Sequence, residues 1–350
     1  MYIIDSSNAK EHSYPVYGRQ FKSYRWFKPV LAAILFAVLY LLVSMALVMF
    51  VAAGSGVGLE GAVGSAPSNI FSGGYDDMDL ANAWQTVVNL GSVAMMIPAL
   101  WLTTKIVRDR PFTSYSSSRG GWSHKAFWRT MPVAFICISV PIVIWELFHE
   151  HHINDYQMRF TLASFLVLTV LGPLQCMAEE YVFRGLLMQT LGSWFRLPVI
   201  AVVLQSCLFA ALHPYDIYGK VGILASGMVF ALTAWIGRGI EVSAAYHICN
   251  NMTIFYLQGM NLSAISSKSD IQALIFEIIT GVVFVIAIFI LSRKTDWFSS
   301  VKRDDVVAWN EKYDAKIARK EAKKQAKYVE IGAHEESSGG KHFERSRHLV

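Results

Sequence analysis

Long apolar segments alternate with short polar ones along most of the chain. A transmembrane helix needs about 20 mostly apolar residues, and most of these segments are long enough to qualify. The pattern predicts eight transmembrane helices, with seven as the alternative because the seventh segment is short and polar. We therefore expect an all-α fold, a polytopic helical bundle in a membrane. The eight segments are 29–53, 86–107, 131–148, 160–188, 197–213, 219–237, 241–257 and 271–292.

Composition supports a membrane protein. Hydrophobic residues make up 54% of the chain and charged residues only 16%, whereas soluble domains carry about 25% charged residues. The first apolar segment is longer than the apolar part of a signal peptide, so it should remain as an anchor. All four cysteines lie in apolar segments, which favours buried small side chains over a disulfide framework.

The distribution of lysine and arginine predicts the orientation. The N-terminal segment and the polar segment between the second and third helices are basic, whereas the loop 54–85 contains no lysine or arginine. The tail from Arg293 holds 14 of the 31 basic residues. Because basic loops stay in the cytoplasm, both termini should be cytoplasmic, which also requires an even number of helices.

One membrane domain with two appendages is the predicted organisation. Residues 1–28 are a cytoplasmic N-terminal segment, 29–292 the membrane domain, and 293–350 a basic cytoplasmic tail that is partly disordered. Helix-forming residues predict a helix over 309–330 in this tail.

A solvated helix beside the membrane is the simpler interpretation of 309–330. Attraction to anionic lipid is the alternative. Orientation already accounts for the basic residues, so no nucleic-acid partner is expected. The residues that would attract lipid are Lys316, Arg319, Lys320, Lys323 and Lys324.

Three polar clusters interrupt the apolar segments, and ionisable residues inside membranes tend to mark function. The first cluster, in MAEEYVFRGL, contains Glu179, Glu180 and Arg184. On a helix Glu180 and Arg184 lie one turn apart and can pair. Glu179 points about 100° away, so its carboxylate stays available for chemistry.

The other two clusters contain histidines. In FAALHP, Phe209 and His213 share a helix face, and in YHICNN, His247 and Asn251 are one turn apart. Taken alone, each is commonly a hydrogen-bonded residue in a helix interface. Together, a carboxylate, two imidazoles and an amide make a catalytic set.

These clusters resemble the motifs of the CPBP family, the CAAX proteases and bacteriocin-processing enzymes also called the Abi family. EEYVFR matches the family's EExxxR motif, FAALH its FxxxH motif, and HICNN contains its HxxxN motif. Any one motif is weak, but three in order on consecutive segments are a strong signal. The resemblance covers roughly residues 130–292, which we take as the catalytic core.

The resemblance implies intramembrane proteolysis by a glutamate-dependent mechanism, with processing of prenylated CAAX proteins as the family's best-known activity. Glu179 would be the base, and His213 would help it hold a water molecule. His247 and Asn251 would stabilise the oxyanion. Glu180 and Arg184 would position Glu179, with Phe209 in a supporting role.

Two alternatives remain open from the residues. Glu179 or Glu180 with His213 and His247 supplies three ligands for a zinc-dependent membrane metalloprotease, although HExxH is absent and Arg184 would oppose a cation. A transporter or a non-enzymatic immunity or partner protein also uses buried Glu, Arg and His. We expect no cofactor. The expected partners are the membrane lipids and a protein or peptide substrate, which would carry a lipid if it is a prenylated CAAX protein.

Overall fold

The structure, a computed structural model, contains helices and no β-strand in the residues that it describes. These residues are 13–56, 58, 79–150, 154–264, 268–299 and 304–345, and only the backbone is described within 329–345. Most of the loop predicted at 54–85 lies outside them.

A helix is present at each of the eight predicted segments, followed by a helix in the tail. The fold is therefore the predicted all-α polytopic bundle. The helices are α1 (Lys28–Ser55), α2 (Ala83–Val107), α3 (His124–His149), α4 (Leu162–Phe195), α5 (Pro198–Ala211), α6 (Ile217–Ile236), α7 (Ile240–Gly259), α8 (Ile271–Lys294) and α9 (Asp305–Arg345).

Six of these helices are long and apolar enough to cross a membrane, judged by length and composition: α1, α2, α3, α4, α6 and α8. The other two lie at the predicted fifth and seventh spans. Helix α5 is apolar but has only 14 residues. Helix α7 has 20 residues, but Glu241, His247 and two asparagines keep its hydropathy low.

Several helices begin at capping residues that satisfy free backbone N–H groups. The side chain of Asn82 caps α2, and Asp216 and Asp270 cap α6 and α8. Thr161 and Ser164 form a reciprocal capping box before α4. Pro198 occupies the first turn of α5, where its missing N–H costs nothing.

Helix α7 lies at the centre of the bundle, packed against α3, α4 and α6. Most of its side chains are buried. Helices α1 and α8 instead expose large apolar side chains on their outer faces, for example Ile34, Leu42 and Ile286. Helix α7, the most polar of the helices at the predicted spans, is thus shielded from lipid by its neighbours. This explains why a segment of low hydropathy can lie inside the bundle.

Two of the helices contain π-helical segments. In α3 these are Phe135–Ser139 and Trp145–His149, and in α4 the segment is Tyr181–Met188. Such segments are rare and frequently occur at functional sites. The one in α4 starts directly after Glu180 and contains Arg184.

The three basic parts of the chain contact one another at one end of the bundle. Ser23 of the N-terminal segment donates to the backbone oxygen of Asp109 and accepts a hydrogen bond from the indole of Trp309 in α9. Thr113 donates to Asp305 at the start of α9. The predicted tail helix over 309–330 is thus part of a longer helix whose first turns are anchored. The division into domains stays a prediction.

Candidate active site

The structure brings the first and third polar clusters into direct contact in the interior. Glu179 and Glu180 end the first regular α-helical part of α4, Leu162–Glu180, and His247 lies on the facing side of α7. The side chains of Glu179, Glu180, Arg184 and His247 are all buried, with at most 4% exposed.

Glu180 is surrounded by donors. Its Oε1 accepts from Arg184 Nη1 at 2.9 Å and lies 3.0 Å from His247 Nδ1. Its Oε2 accepts from Ser243 Oγ at 2.6 Å. The predicted Glu180–Arg184 pair is therefore confirmed. Charge-assisted hydrogen bonds of this kind are the strong ones, so Glu180 is fixed in place.

Glu179 has fewer partners. Its Oε1 accepts from Gln175 Nε2 at 2.7 Å, and its Oε2 lies 3.5 Å from His247 Nε2. Arg184 makes no hydrogen bond with Glu179 in the described part of the chain. The family resemblance implies that Glu180 and Arg184 position Glu179. Among the described residues, however, Glu180 contacts Arg184, Ser243 and His247, and the guanidinium of Arg184 donates to Glu180 and to the backbone oxygen of Gly227. Gln175 holds Glu179 instead.

His247 bridges the two carboxylates. Its Nδ1 lies 3.0 Å from Glu180 Oε1, and its Nε2 faces Glu179. Asn251 Nδ2 lies 3.2 Å from His247 Nε2, while Asn251 Oδ1 accepts from Asn250. Both ring nitrogens therefore have partners, and the ring of Phe230 stacks on the imidazole at 4.7 Å.

Arg184 neutralises only one of the two carboxylates. Its guanidinium lies between the rings of Phe209 and Phe230, 4.6 and 4.7 Å from their centres. An uncompensated buried charge is costly. Glu179 instead faces His247, with 3.5 Å between Glu179 Oε2 and His247 Nε2.

His213 lies just beyond the end of α5 and is buried. Its Nδ1 donates to the backbone oxygen of Phe209 at 2.7 Å, which leaves Nε2 of the neutral ring as an acceptor. The ring of Phe209 neighbours both imidazoles. Its centre lies 4.5 Å from the ring centre of His213 and 6.5 Å from that of His247. Among the described residues, no hydrogen bond or ion pair joins His213 to Glu179.

Three residues of this site were not predicted from the sequence. Gln175 holds Glu179, Ser243 holds Glu180, and Phe230 covers both His247 and Arg184. Gln175 and Ser243 each precede a predicted site residue by four positions, so helical spacing alone could have found them. Phe230 belongs to α6, which carries no motif, and nothing in the sequence marks it.

Two further polar contacts lie outside this cluster. A buried ion pair joins Arg119 to Glu241 over 2.8 Å and fixes the start of α7. Glu277 of α8 accepts a hydrogen bond from Ser226 of α6. Within the described ranges, no group of three or more His, Cys, Asp and Glu side chains is arranged to hold a metal ion.

Comparisons with known proteins agree with the motifs. Residues 159–253 match the family model described as type II CAAX prenyl endopeptidase Rce1-like. This segment contains all three motifs, and the recognition of the CPBP family is confirmed. Uncharacterized protein YyaK of Bacillus subtilis (strain 168) is 27% identical over 169 residues, which are 45% of this chain and 55% of that protein. The chain thus spans about half the length of this relative. No solved structure matches the chain.

Proposed function

We propose, from the Rce1-like segment at residues 159–253, that this multi-pass membrane protein is an intramembrane endopeptidase of the CAAX-processing type. It hydrolyses a peptide bond with a water molecule that Glu179 activates. The observation that carries the proposal is the buried Glu179 carboxylate, 3.5 Å from His247 of another helix, beside a second carboxylate that is already paired with arginine.

The reaction needs a base, a group that orients water, and donors for the oxyanion. Glu179 takes a proton from water as the oxygen attacks the carbonyl carbon. The free Nε2 of His213 accepts the second hydrogen of this water and fixes its direction. The proton on Glu179 then passes to the leaving nitrogen as the C–N bond breaks, so atoms and charges balance.

Asn251 and His247 donate to the oxygen of the tetrahedral intermediate. The support for this assignment is their position on one face of α7, where Asn251 Nδ2 lies 3.2 Å from His247 Nε2. Glu180 contacts the other ring nitrogen of His247 and fixes the ring. Donors fixed before the reaction are the effective ones. Glu180, Arg184 and Phe209 therefore act by positioning His247.

The proposed reaction uses no metal, and its substrate is a protein or peptide that reaches the site from the membrane. We place both termini in the cytoplasm because the three basic segments share one end of the bundle. Activity that survives chelator treatment of metal-free protein supports the glutamate mechanism, whereas loss of activity that zinc restores overturns it.

The test compares membrane proteomes of wild-type and Glu179→Ala cells. One precursor should accumulate uncleaved in the variant cells, with its processed form present only in the wild type. Equal processing in both, at equal protein abundance, would remove the proposal. A cellular phenotype that survives in the variant would instead favour a non-enzymatic partner role.

A further inference from the structure

The distal part of α9 carries a basic face that makes no hydrogen bond or ion pair among the described residues; Lys324 contacts the ring of Tyr328 of the same helix at 5.9 Å. Every side chain over 318–328 is exposed. At about 100° per residue, the six basic positions between 316 and 327 fall within an arc of about 140° around the helix. Ala318, Ala322 and Gln325 occupy the opposite side. The basic face consists of Lys316, Arg319, Lys320, Lys323, Lys324 and Lys327.

This basic face continues the side of α9 that contacts the rest of the protein. Trp309 lies on the anchored side, where its indole donates to Ser23 at 2.7 Å and its ring packs against Phe21 at 6.4 Å. Lys316, Lys323 and Lys327 follow Trp309 at intervals of 7, 7 and 4 residues, which keeps them on the same helix face. The basic side chains therefore lie on the same side of α9 as Trp309.

The anchored turns of α9 lie close to the membrane interface. They contact residues 20–23, and α1 starts only five residues later, at Lys28. Trp26 and Phe27, between these points, are 72% and 48% exposed. Exposed aromatic residues at the end of a span are typical of the headgroup level. The helix thus begins beside the headgroups.

We propose that α9 lies along the surface of the same membrane and binds anionic phospholipid headgroups through its basic face. Phosphate groups complement six clustered cations, and a juxtamembrane polybasic helix is attracted to an anionic leaflet within about one Debye length. A nucleic acid would need to enter between the tail and the membrane to reach the same face. The attachment of α9 therefore favours lipid.

The test uses the full-length protein in nanodiscs of phosphatidylcholine alone or of phosphatidylcholine with phosphatidylglycerol. Hydrogen–deuterium exchange is measured by mass spectrometry for peptides covering 316–328. We expect exchange about tenfold slower in the anionic discs, with the difference lost near 1 M salt, where the Debye length is about 3 Å. Peptides from α1–α8 should exchange equally in both discs.

Two variants make the comparison specific to one face. Replacing all six basic residues by glutamine should abolish the lipid dependence. Ala318→Gln with Ala322→Gln, which changes the opposite face and keeps every charge, should retain it. Unchanged exchange of α1–α8 in both variants shows that the bundle is intact.

Three outcomes overturn the proposal. Exchange that is equally fast in both discs shows that no headgroup contact forms, and equally slow exchange shows that the protein itself covers the face. Protection that appears only with an added oligonucleotide assigns the face to nucleic acid. Because no proteolysis is measured, these outcomes do not depend on the proposed enzymatic function.

Discussion

Glu179 and Glu180 are adjacent in the chain, yet their carboxylates have different surroundings. Glu180 has three donors from Arg184, Ser243 and His247. Glu179 has one donor, Gln175, and one close imidazole nitrogen. The difference separates a carboxylate that holds the site together from one that can accept a proton. Substitutions should therefore affect catalysis and stability separately.

Glu179→Gln should abolish turnover while the protein remains folded. The amide has nearly the same shape but cannot accept a proton from water, and positioned acid–base groups contribute about 10²–10⁴ in rate. Cleavage of the accumulating precursor by purified protein is the measurement. Glu277→Gln is the matched control, since Glu277 is another membrane carboxylate, bonded to Ser226, and it should leave turnover unchanged. Equal activity in wild type and Glu179→Gln contradicts the assignment.

Ser243→Ala should destabilise the protein by about 1.5–3 kcal/mol, the range for a hydrogen bond to a charged group. The substitution removes the only donor to Glu180 Oε2 among the described residues. Thermal unfolding in detergent measures the change. Ser292→Ala, which removes a half-buried serine that donates to its own helix, is the control and should unfold like wild type. An unshifted Ser243→Ala curve counts against the role given to Glu180.

Asn251→Ala should leave a trace of activity. Losing one donor to an oxyanion typically costs about 10²–10³ in rate. The measurement is kcat on the same precursor, with substrate binding followed separately. Asn250→Ala removes only the donor to Asn251 Oδ1 and should retain most of the rate. An equal loss in both variants would mean that the amides act by packing alone.

Sequence spacing predicted part of this site because helices place residues four apart on one face. The Glu180–Arg184 pair and the contact of His247 with Asn251 follow directly from that rule. The bridge from His247 to both carboxylates does not, since it depends on the distance and rotation between α4 and α7. Such details are set by packing, which a single sequence does not encode locally.

At the scale of helices, apolar length predicted α1–α6 and α8 well, whereas α7 could be inferred only because its neighbours must be connected. Its polar side chains are satisfied inside the protein, so it needs no apolar surface toward lipid. The π-helical segment after Glu180 was not predicted. It covers Tyr181–Met188, and no local residue type signals it.

Gly192→Ala should loosen the N-terminal segment from α4. A Cβ at this position would lie 2.1 Å from the backbone oxygen of Pro15, which cannot rotate away. Overpacking of this kind typically costs about 1–3 kcal/mol. Faster hydrogen exchange over 14–20 is the measurement. Gly54→Ala in α1 is the control, because its Cβ would meet Trp84 at an ordinary 3.4 Å and should leave that exchange unchanged. Unchanged exchange over 14–20 in Gly192→Ala would contradict the packing.

At the scale of the molecule, two groups of polar contacts bear on function and orientation. One is the active-site cluster between α4 and α7, and the other is the end where the three basic segments meet. Buried Arg110 strengthens this end through Gln189 at 2.7 Å and the ring of Tyr115 at 4.0 Å. The charge distribution predicted that these segments share one side, but it could not predict that they touch.

Epitope tags at the two termini should be accessible from the same side of a sealed vesicle, and a tag within 54–85 from the other side. The reason is the even number of helices and the shared basic end. Protease protection in oriented vesicles is the measurement, with detergent-opened vesicles as the control. Tags at the two termini that are protected on opposite sides would show that one of α5 and α7 does not cross.

The contacts between Ser23, Asp109 and Trp309 join the segment before α1 to the helix that follows α8. A ribosome delivers these residues in order, so Ser23 and Asp109 are made long before Trp309 can complete the contact. Until then, the N-terminal segment lacks its contact with α9. A premature stop codon after α8 would leave every membrane helix in place and still remove the Trp309 contact, so hydrogen exchange near Ser23 should be faster than in the protein that carries α9.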